Sequence, residues 1–404
     1  MNWLLIIEIV FSIMLLCISI NAFDKKKYML FLFSIFTVFY VLTRQVLLLS
    51  DNYLSFAILN PAITSFNKEA ILILFIYIVI SYFIFYISYT YFYKKNIVQM
   101  TKYNTKRDYG KIIILVSLLT IFLIDSFVGM VYLVYLFVYN YYKNNRHKLL
   151  IIVSLIVLMY LFTFTDDRRN WLFLILSILF MLFAKSKKQN IIKILLYGFI
   201  SFVLLFYILI AYRTNGLLDY SAVYDRLNTN SSALMGIFEI ESDFPIVSDD
   251  LILLFDNVVI KKKIDYTYGV NFFKPLYSFI PREIWENKPV SISRVFAKKF
   301  NYNFYAQGGS EPITIYGELF WNFGILSFLF YILIGYISAY FDKKIKLSIL
   351  CKNDSELSLY IVYISLSFII LRGPLDTFWL MYLSTILLII VEKTIPNFLY
   401  RKKK

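Results

Sequence analysis

Histidine is almost missing from this chain of 404 residues, which has one, His147, and only two cysteines, Cys17 and Cys351. Neither residue type can build a Cys/His array with ligand spacing, so no zinc-type metal site is expected. Cys17 falls in the first apolar run and Cys351 in a Lys-rich segment, which argues against a disulfide framework. Glycine (12) and proline (8) are scarce as well. No P-loop or dinucleotide fingerprint occurs, and no cofactor is expected. Charged residues make up only 17% of the chain, against roughly 25% in an average soluble protein. The chain also lacks segments of about ten alternating residues, which excludes a transmembrane β-barrel.

In their place are apolar runs. Hydrophobic residues account for 60% of the sequence, and the mean hydropathy is +0.69. Runs near 20 residues recur from end to end, which predicts an all-α polytopic membrane protein. The first run, Trp3 to Ile20, has no basic residue before it and Lys25, Lys26 and Lys27 after it. That is the reverse of a secretory signal, so it reads as an uncleaved anchor with its N-terminus outside.

More than half of the 41 Lys and Arg residues fall in a few clusters. These lie at 24–27, 94–111, 143–148, 185–193, 341–352 and 393–404. Basic clusters mark the cytoplasmic side. No basic stripe lies on a soluble domain, so the +15 net charge reads as topology and attraction to anionic lipid, not as nucleic-acid binding. Threading the chain through the clusters gives about 11 spans, near 3–21, 28–49, 69–93, 111–125, 127–142, 149–165, 170–185, 191–212, 313–341, 357–372 and 376–392. The N-terminus is then outside and the C-terminus inside. The run Ile112–Ile124 reaches only about 20 Å as a helix, against a hydrocarbon core of about 30 Å. Hairpins tipped by "IDSFVG", "TDDRRN" and "RGPLD" therefore either cross fully or re-enter, and charge alone does not separate the two.

Three parts follow from this threading: an N-terminal transmembrane bundle (1–212), a large extracytoplasmic loop (213–312), and C-terminal transmembrane helices with a basic tail (313–404). Loops of that length are usually functional. Within it, "SALMGIFEI" and "DLILLFDNVVI" read as short amphipathic helices on the membrane or on the bundle. The later half, with Pro275, Pro281, Pro289 and Pro312, carries Lys274, Arg282, Lys288, Arg294, Lys298 and Lys299 among aromatics. Such a surface suits an anionic amphiphile, with Arg as the bidentate partner of a diphosphate and Lys as a point charge. The five tryptophans, Trp3, Trp171, Trp285, Trp321 and Trp379, all fall on the outer side. They read as interfacial anchors, or in part as stacking faces for sugar rings.

Charges at membrane depth are candidates for function. Here they are Glu8, Arg44, Asp125, the quartet Asp166, Asp167, Arg168 and Arg169, then Arg213, Glu318, Arg372 and Asp376. The stretch "FTFTDDRRNWLFL" puts four charges between two apolar runs. Arg168 and Arg169 then stand where a helix begins, a position that favours phosphate, with Asp166 and Asp167 orienting them or capping the helix. Arg213 ends the next span on the same side, and Arg372 tips the last hairpin. The alternative for each arginine is contact with phospholipid headgroups.

These residues resemble the O-antigen polymerases, the Wzy-type oligosaccharide repeat-unit polymerases of bacterial surface glycans. The likeness covers the plan of about eleven spans with one large outer loop before the last three. It also covers "TDDRRNWLF", "AYRTNG", "FIPREIWENKP" and "GGSEPITIYGELFWNFG", whose order is more specific than any one of them. The resemblance implies a GT-C-like scaffold in the bacterial cytoplasmic membrane. It implies a metal-independent transfer of a glycan from undecaprenyl diphosphate to an incoming lipid-linked repeat, at the outer face. It also implies a chain-length regulator and a flippase as partners. On that reading Arg168, Arg169, Arg213 and Arg282 hold the departing diphosphate, with Lys288, Arg294, Trp285 and Arg372 as further substrate contacts. Glu318 is the base on the acceptor hydroxyl or an acceptor-sugar contact, and its alternative is helix–loop hydrogen bonding. An O-antigen ligase, whose pattern carries an outer His that this chain lacks, and a flippase or other transporter are the competing readings.

Overall fold

The computed structural model describes residues 2–49, 67–95, 168–185, 243–277, 280–352, 354–373 and 375, together with scattered helical positions between 131 and 142. The described residues form helices and connecting turns, with no strand among them. Four helical stretches among them are long and apolar enough to cross a membrane: Trp3–Asp24, Tyr28–Val46, Lys68–Lys95 and Thr314–Leu350. This supports an all-α, membrane-embedded protein. The expected spans 111–125, 149–165, 191–212 and 376–392, and most of 127–142, lie outside the described residues.

Helix α1 (Asn2–Asp24) turns through Lys25–Lys27 into α2 (Tyr28–Phe36). A three-residue link makes the two antiparallel neighbours. Helix α2 continues as a π-helical stretch, Thr37–Leu42, and then as α3 (Thr43–Leu49). Such a stretch loosens the regular ladder of carbonyls. Thr43 Oγ1 donates to the Val38 carbonyl at 2.8 Å, and Ser248 Oγ donates to that of Val41 at 3.0 Å. Ser248 belongs to α6 (Asp243–Phe255), which follows α4 (Lys68–Lys95) and α5 (Arg168–Lys185) in chain order.

Thus "DLILLFDNVVI" is helical, as its pattern predicts, and it packs on the bundle. Residues Val247–Val258 are buried, and α6 contacts the π-helical stretch, α3 and α4. Arg44 Nε and Nη2 donate to Asp249 Oδ1 and Oδ2 at 3.0 and 3.2 Å. This planar, two-bond pair fixes α3 against α6, and each buried charge meets its opposite. Burial pushes the Asp249 carboxyl up to about 6, against the pull of Arg44.

The loop ends in α7 (Lys274–Tyr277), α8 (Ile292–Phe300) and α9 (Tyr302–Ala306). The expected span 313–341 is not one helix. Helix α10 (Thr314–Phe323) ends at Gly324, φ +54°, and α11 (Ser327–Leu350) begins after a 3₁₀ turn. Glycine takes that conformation without steric penalty. Helix α11 then runs on through the Lys-rich residues 343–346, which the sequence pattern had placed in a loop. It packs along α4, where a Cβ on Gly335 would come within 2.7 Å of the Phe85 carbonyl oxygen. Small residues at such a contact let two helices approach closely. Helix α12 (Asp354–Arg372) closes the described bundle against α5 and α11.

The basic clusters of α1–α2, α4, α5 and α11 gather at one end of the bundle. Lys26 Nζ donates to the Ala184 carbonyl at 2.6 Å, so a cation meets the C-terminal turn of α5. The ammonium groups of Lys27 and Lys343 lie 4.4 and 5.7 Å from the Tyr93 ring centroid. Within this end Asp342 is fully buried. Its carboxylate accepts from Met29 N at 2.9 Å, Leu30 N at 3.4 Å and Tyr89 Oη at 2.8 Å. An aspartate of α11 therefore caps the otherwise unpaired first turn of α2.

Candidate functional site at the opposite end

Helix α12 runs away from the Lys-rich end, so its last residue, Arg372, and the following Gly373 and Leu375 mark the opposite end. Helix α10 begins beside them. Nine of the ten residues of α10, Thr314–Asn322, are buried, an unusual density for a stretch that includes Thr, Glu and Asn. The Glu318 carboxylate accepts from Leu375 N through both oxygens, at 3.1 and 3.0 Å. Asn322 Nδ2 donates to the Glu318 carbonyl at 2.8 Å, and Thr267 Oγ1 donates to Asn322 Oδ1 at 2.8 Å. Glu318 thus joins α10 to the "RGPL" turn in the manner of a helix–loop clamp. Gly373 has φ +89°, and a Cβ there would lie 2.7 Å from Glu318 Oε1. The close approach requires glycine.

Thr314 opens α10 with φ +55°. A β-branched residue rarely adopts that conformation, and such outliers cluster at functional positions. The preceding Ile313 provides no side-chain cap. Three residues upstream, Glu311 is 6% exposed, and its backbone N–H donates to the Ser293 carbonyl at 3.2 Å. Asn301 sets this carboxylate in place. Its Oδ1 accepts from Phe304 N at 3.3 Å as the cap of α9, so its Nδ2 is left to donate to Glu311 Oε1 at 2.7 Å. Burial raises the Glu311 carboxyl above its ordinary range, and the Asn301 bond opposes that rise. Glu311 Oε2, Ser293 Oγ, Arg294 Nε and Thr314 Oγ1 are buried and have no hydrogen-bond partner among the described residues. Buried polar atoms are ordinarily paired, and each exception calls for an explanation.

Helix α8 supplies Ser293 and Arg294. Its sequence, ISRVFAKKF, buries Ile292, Phe296 and Ala297 and exposes Lys298 and Lys299. The Arg294 guanidinium carbon lies 5.0 Å from the centroid of the Tyr305 ring, and the Lys298 ammonium lies 5.9 Å from it.

The segment "FIPREIWENKP" forms a compact surface turn. Ile284 N and Trp285 N donate to the Pro281 carbonyl, and Lys288 Nζ to the Ile280 carbonyl at 2.9 Å. Trp285 packs on Tyr277, with centroids 5.2 Å apart. Arg282 is exposed. Tyr268, Val270, Phe273, Leu276 and Ile284 of the same loop are exposed as well, a composition suited to the headgroup layer of a bilayer.

An apolar cavity of about 410 Å³ runs between α10, α11 and α12. Its walls include Met29 at the Lys-rich end and Phe272 at the other, with Leu319, Phe330 and Leu375 along it. Leu319 and Leu375 adjoin the Glu318 clamp in sequence. The cavity therefore lies beside the Glu318 clamp.

Of the residues singled out from sequence, Glu318, Arg372, Arg294, Lys288, Arg282 and Trp285 are described. Glu318 and Arg372 both belong to the α10–α12 end, where the Glu318 carboxylate bonds Leu375 N, and Arg294 lies with the Glu311 cluster. Lys288, Arg282 and Trp285 belong to the surface turn. Arg168 and Arg169 are the first described residues of α5, and their side chains lie outside the described ones. Asp166, Asp167 and Arg213 lie outside the described residues. Of the tryptophans, Trp3 is exposed. Trp321 is fully buried and donates through Nε1 to the Asp265 carbonyl at 3.0 Å, so it is a packing residue and not an interfacial anchor. The sequence reading passed over Glu311, Asn301, Ser293 and Thr314. The only signal near them was the Gly-Gly-Ser run before Glu311. No protein-family model, curated protein or solved structure matches the chain.

Proposed function

We propose that the chain is a lipid-linked oligosaccharide polymerase with about eleven spans and a GT-C-like scaffold. It transfers a growing glycan from undecaprenyl diphosphate to an incoming lipid-linked repeat at the outer face of the bacterial cytoplasmic membrane. The observation that carries this reading is an apolar cavity whose walls include Leu319 and Leu375, beside the Glu318 clamp at the end of the bundle away from the lysines. An amphiphile with a long prenyl chain and a polar, anionic head has this division of chemistry. Leu319, Phe330 and Leu375 line the cavity for the chain. Arg282, Lys298 and Lys299 are exposed on the side where the head would arrive.

In this reading the leaving group is the diphosphate, and its developing charge is met by fixed cations rather than by water. Arg168 and Arg169 at the start of α5 and Arg213 are assigned to it, with Arg282, Lys288, Arg294 and Arg372 along the approach. Trp285, packed at a tilt on Tyr277, offers a ring face to a sugar. Asp166 and Asp167 orient the two arginines. Glu318 serves best as the clamp that fixes the turn bearing Arg372. A chain-length regulator and a flippase would work beside the enzyme.

Deletion of the gene in its host tests the reading. Glycans reduced to a uniform single repeat support a polymerase. Loss of attachment to the lipid anchor points to a ligase, and lipid-linked repeat accumulating inside the cell points to a flippase. Changing Arg168 or Arg169 to Lys or Ala, at normal protein levels, should also abolish the ladder of polymer. An intact ladder in all four variants removes both arginines from the site.

A further inference from the structure

We infer that Glu311, oriented by Asn301, is the general base that accepts the proton of the acceptor hydroxyl. The inference rests on the polymerase reading and changes the residue to which the carboxylate role falls. Glu318 uses both oxygens on one backbone N–H. Glu311 uses Oε1 on Asn301 and leaves Oε2 without a partner among the described residues. An Asn held by its own capping bond keeps the carboxylate in one rotamer, so Oε2 is preorganised to receive a donor. Ser293 Oγ, Thr314 Oγ1 and Arg294 Nε are likewise buried and without a hydrogen-bond partner among the described residues. Tyr302 and Phe304 stand exposed on α9, aromatic faces of the kind that sugar rings pack on.

Glu311 directly follows the exposed turn 307–310, Gln-Gly-Gly-Ser. Gly308 has φ +88° and open space where a Cβ would stand, so no side chain of that residue covers the approach. The acceptor oxygen then forms a bond to the anomeric carbon of the donor glycan. The bond from that carbon to the diphosphate oxygen breaks, and its electron pair leaves with undecaprenyl diphosphate. The acceptor proton passes to Glu311 Oε2. A carboxylate raised by burial is a stronger base than an exposed one and suits this task.

Purified full-length protein in liposomes, supplied with lipid-linked repeat unit, tests the assignment. Glu311→Gln should lower the rate of polymer formation about 100-fold or more, with the KM for the lipid-linked repeat little changed and a monodisperse protein peak retained. The wild-type rate should fall as pH drops and Glu311 protonates, and the residual E311Q rate should lose that limb. Asn301→Ala, which frees the carboxylate to rotate, should fall between the two. A wild-type ladder together with an undiminished E311Q ladder overturns the role of Glu311 and leaves the polymerase reading standing. An E311Q protein that loses its monodisperse peak assigns Glu311 to the architecture and overturns the role as well. A wild type that makes no polymer overturns the polymerase reading itself.

Discussion

Two buried carboxylates, one at each end of the bundle, are bonded in opposite ways. At the Lys-rich end Asp342 is fully enclosed, and its two oxygens meet two backbone N–H groups and a phenol. At the other end Glu311 is almost as deeply enclosed, yet one oxygen meets no partner among the described residues. A carboxylate whose acceptor sites are occupied holds helices together. One that is pinned on a single side and left open on the other is placed to receive something. Asp249, doubly bonded to Arg44, belongs with Asp342, and Glu318, bonded through both oxygens, belongs there too. Burial alone therefore does not single out Glu311; its open oxygen sets it apart from Asp342, Asp249 and Glu318.

The largest effect expected on stability is at Asp342. Asp342→Ala strands two N–H groups of α2 and the Tyr89 hydroxyl, a loss on the order of 4 kcal/mol at 1.5–3 kcal/mol for each charged hydrogen bond partly recovered by water. Thermal unfolding in detergent should show it as a melting temperature far below that of wild type, and an unchanged melting temperature would break the comparison. Next comes Asp249→Ala, which leaves the Arg44 guanidinium buried without its anion, at about 3 kcal/mol. Replacing both residues by Leu should recover most of that loss, because no lone charge then remains. A double variant as unstable as the single one would show that the pair is not what joins α3 to α6.

Smaller effects are expected at the other end. Gly373→Ala forces a left-handed φ on a residue with a Cβ and presses it on Glu318, for about 1–2 kcal/mol. Thr314→Gly has the opposite sign. It relieves the conformation at φ +55° and should raise stability by about 1 kcal/mol, while polymer formation falls because Oγ1 is gone. A variant more stable and less active is the signature of strain held for function. A Thr314→Gly protein that is both more stable and fully active would reduce Thr314 to a local irregularity.

Much of the fold was legible in the sequence because hydropathy and helix length are local properties. The runs at 3–21, 28–49, 69–93 and 170–185 correspond to described helices. The break at Gly324 was not legible, since a single glycine inside an apolar run does not announce a positive φ. Nor was the placement of Asp342: one acid among lysines reads as a solvated loop residue, and only the meeting of α2, α4 and α11 gives it three donors. The candidate site was legible in its cations and not in its carboxylate. Glu318 drew attention because it sits in an apolar run, whereas Glu311 sits in a polar stretch. Its significance depends on Asn301 and Ser293, which the fold brings to it from α8 and its link to α9.

The most direct test is the length of glycan made by the purified protein in liposomes from lipid-linked repeat alone, read as a ladder for wild type and for E311Q side by side. The account predicts a multi-repeat ladder from wild type and, at equal folded protein, single repeats from E311Q. Single repeats from both would contradict it.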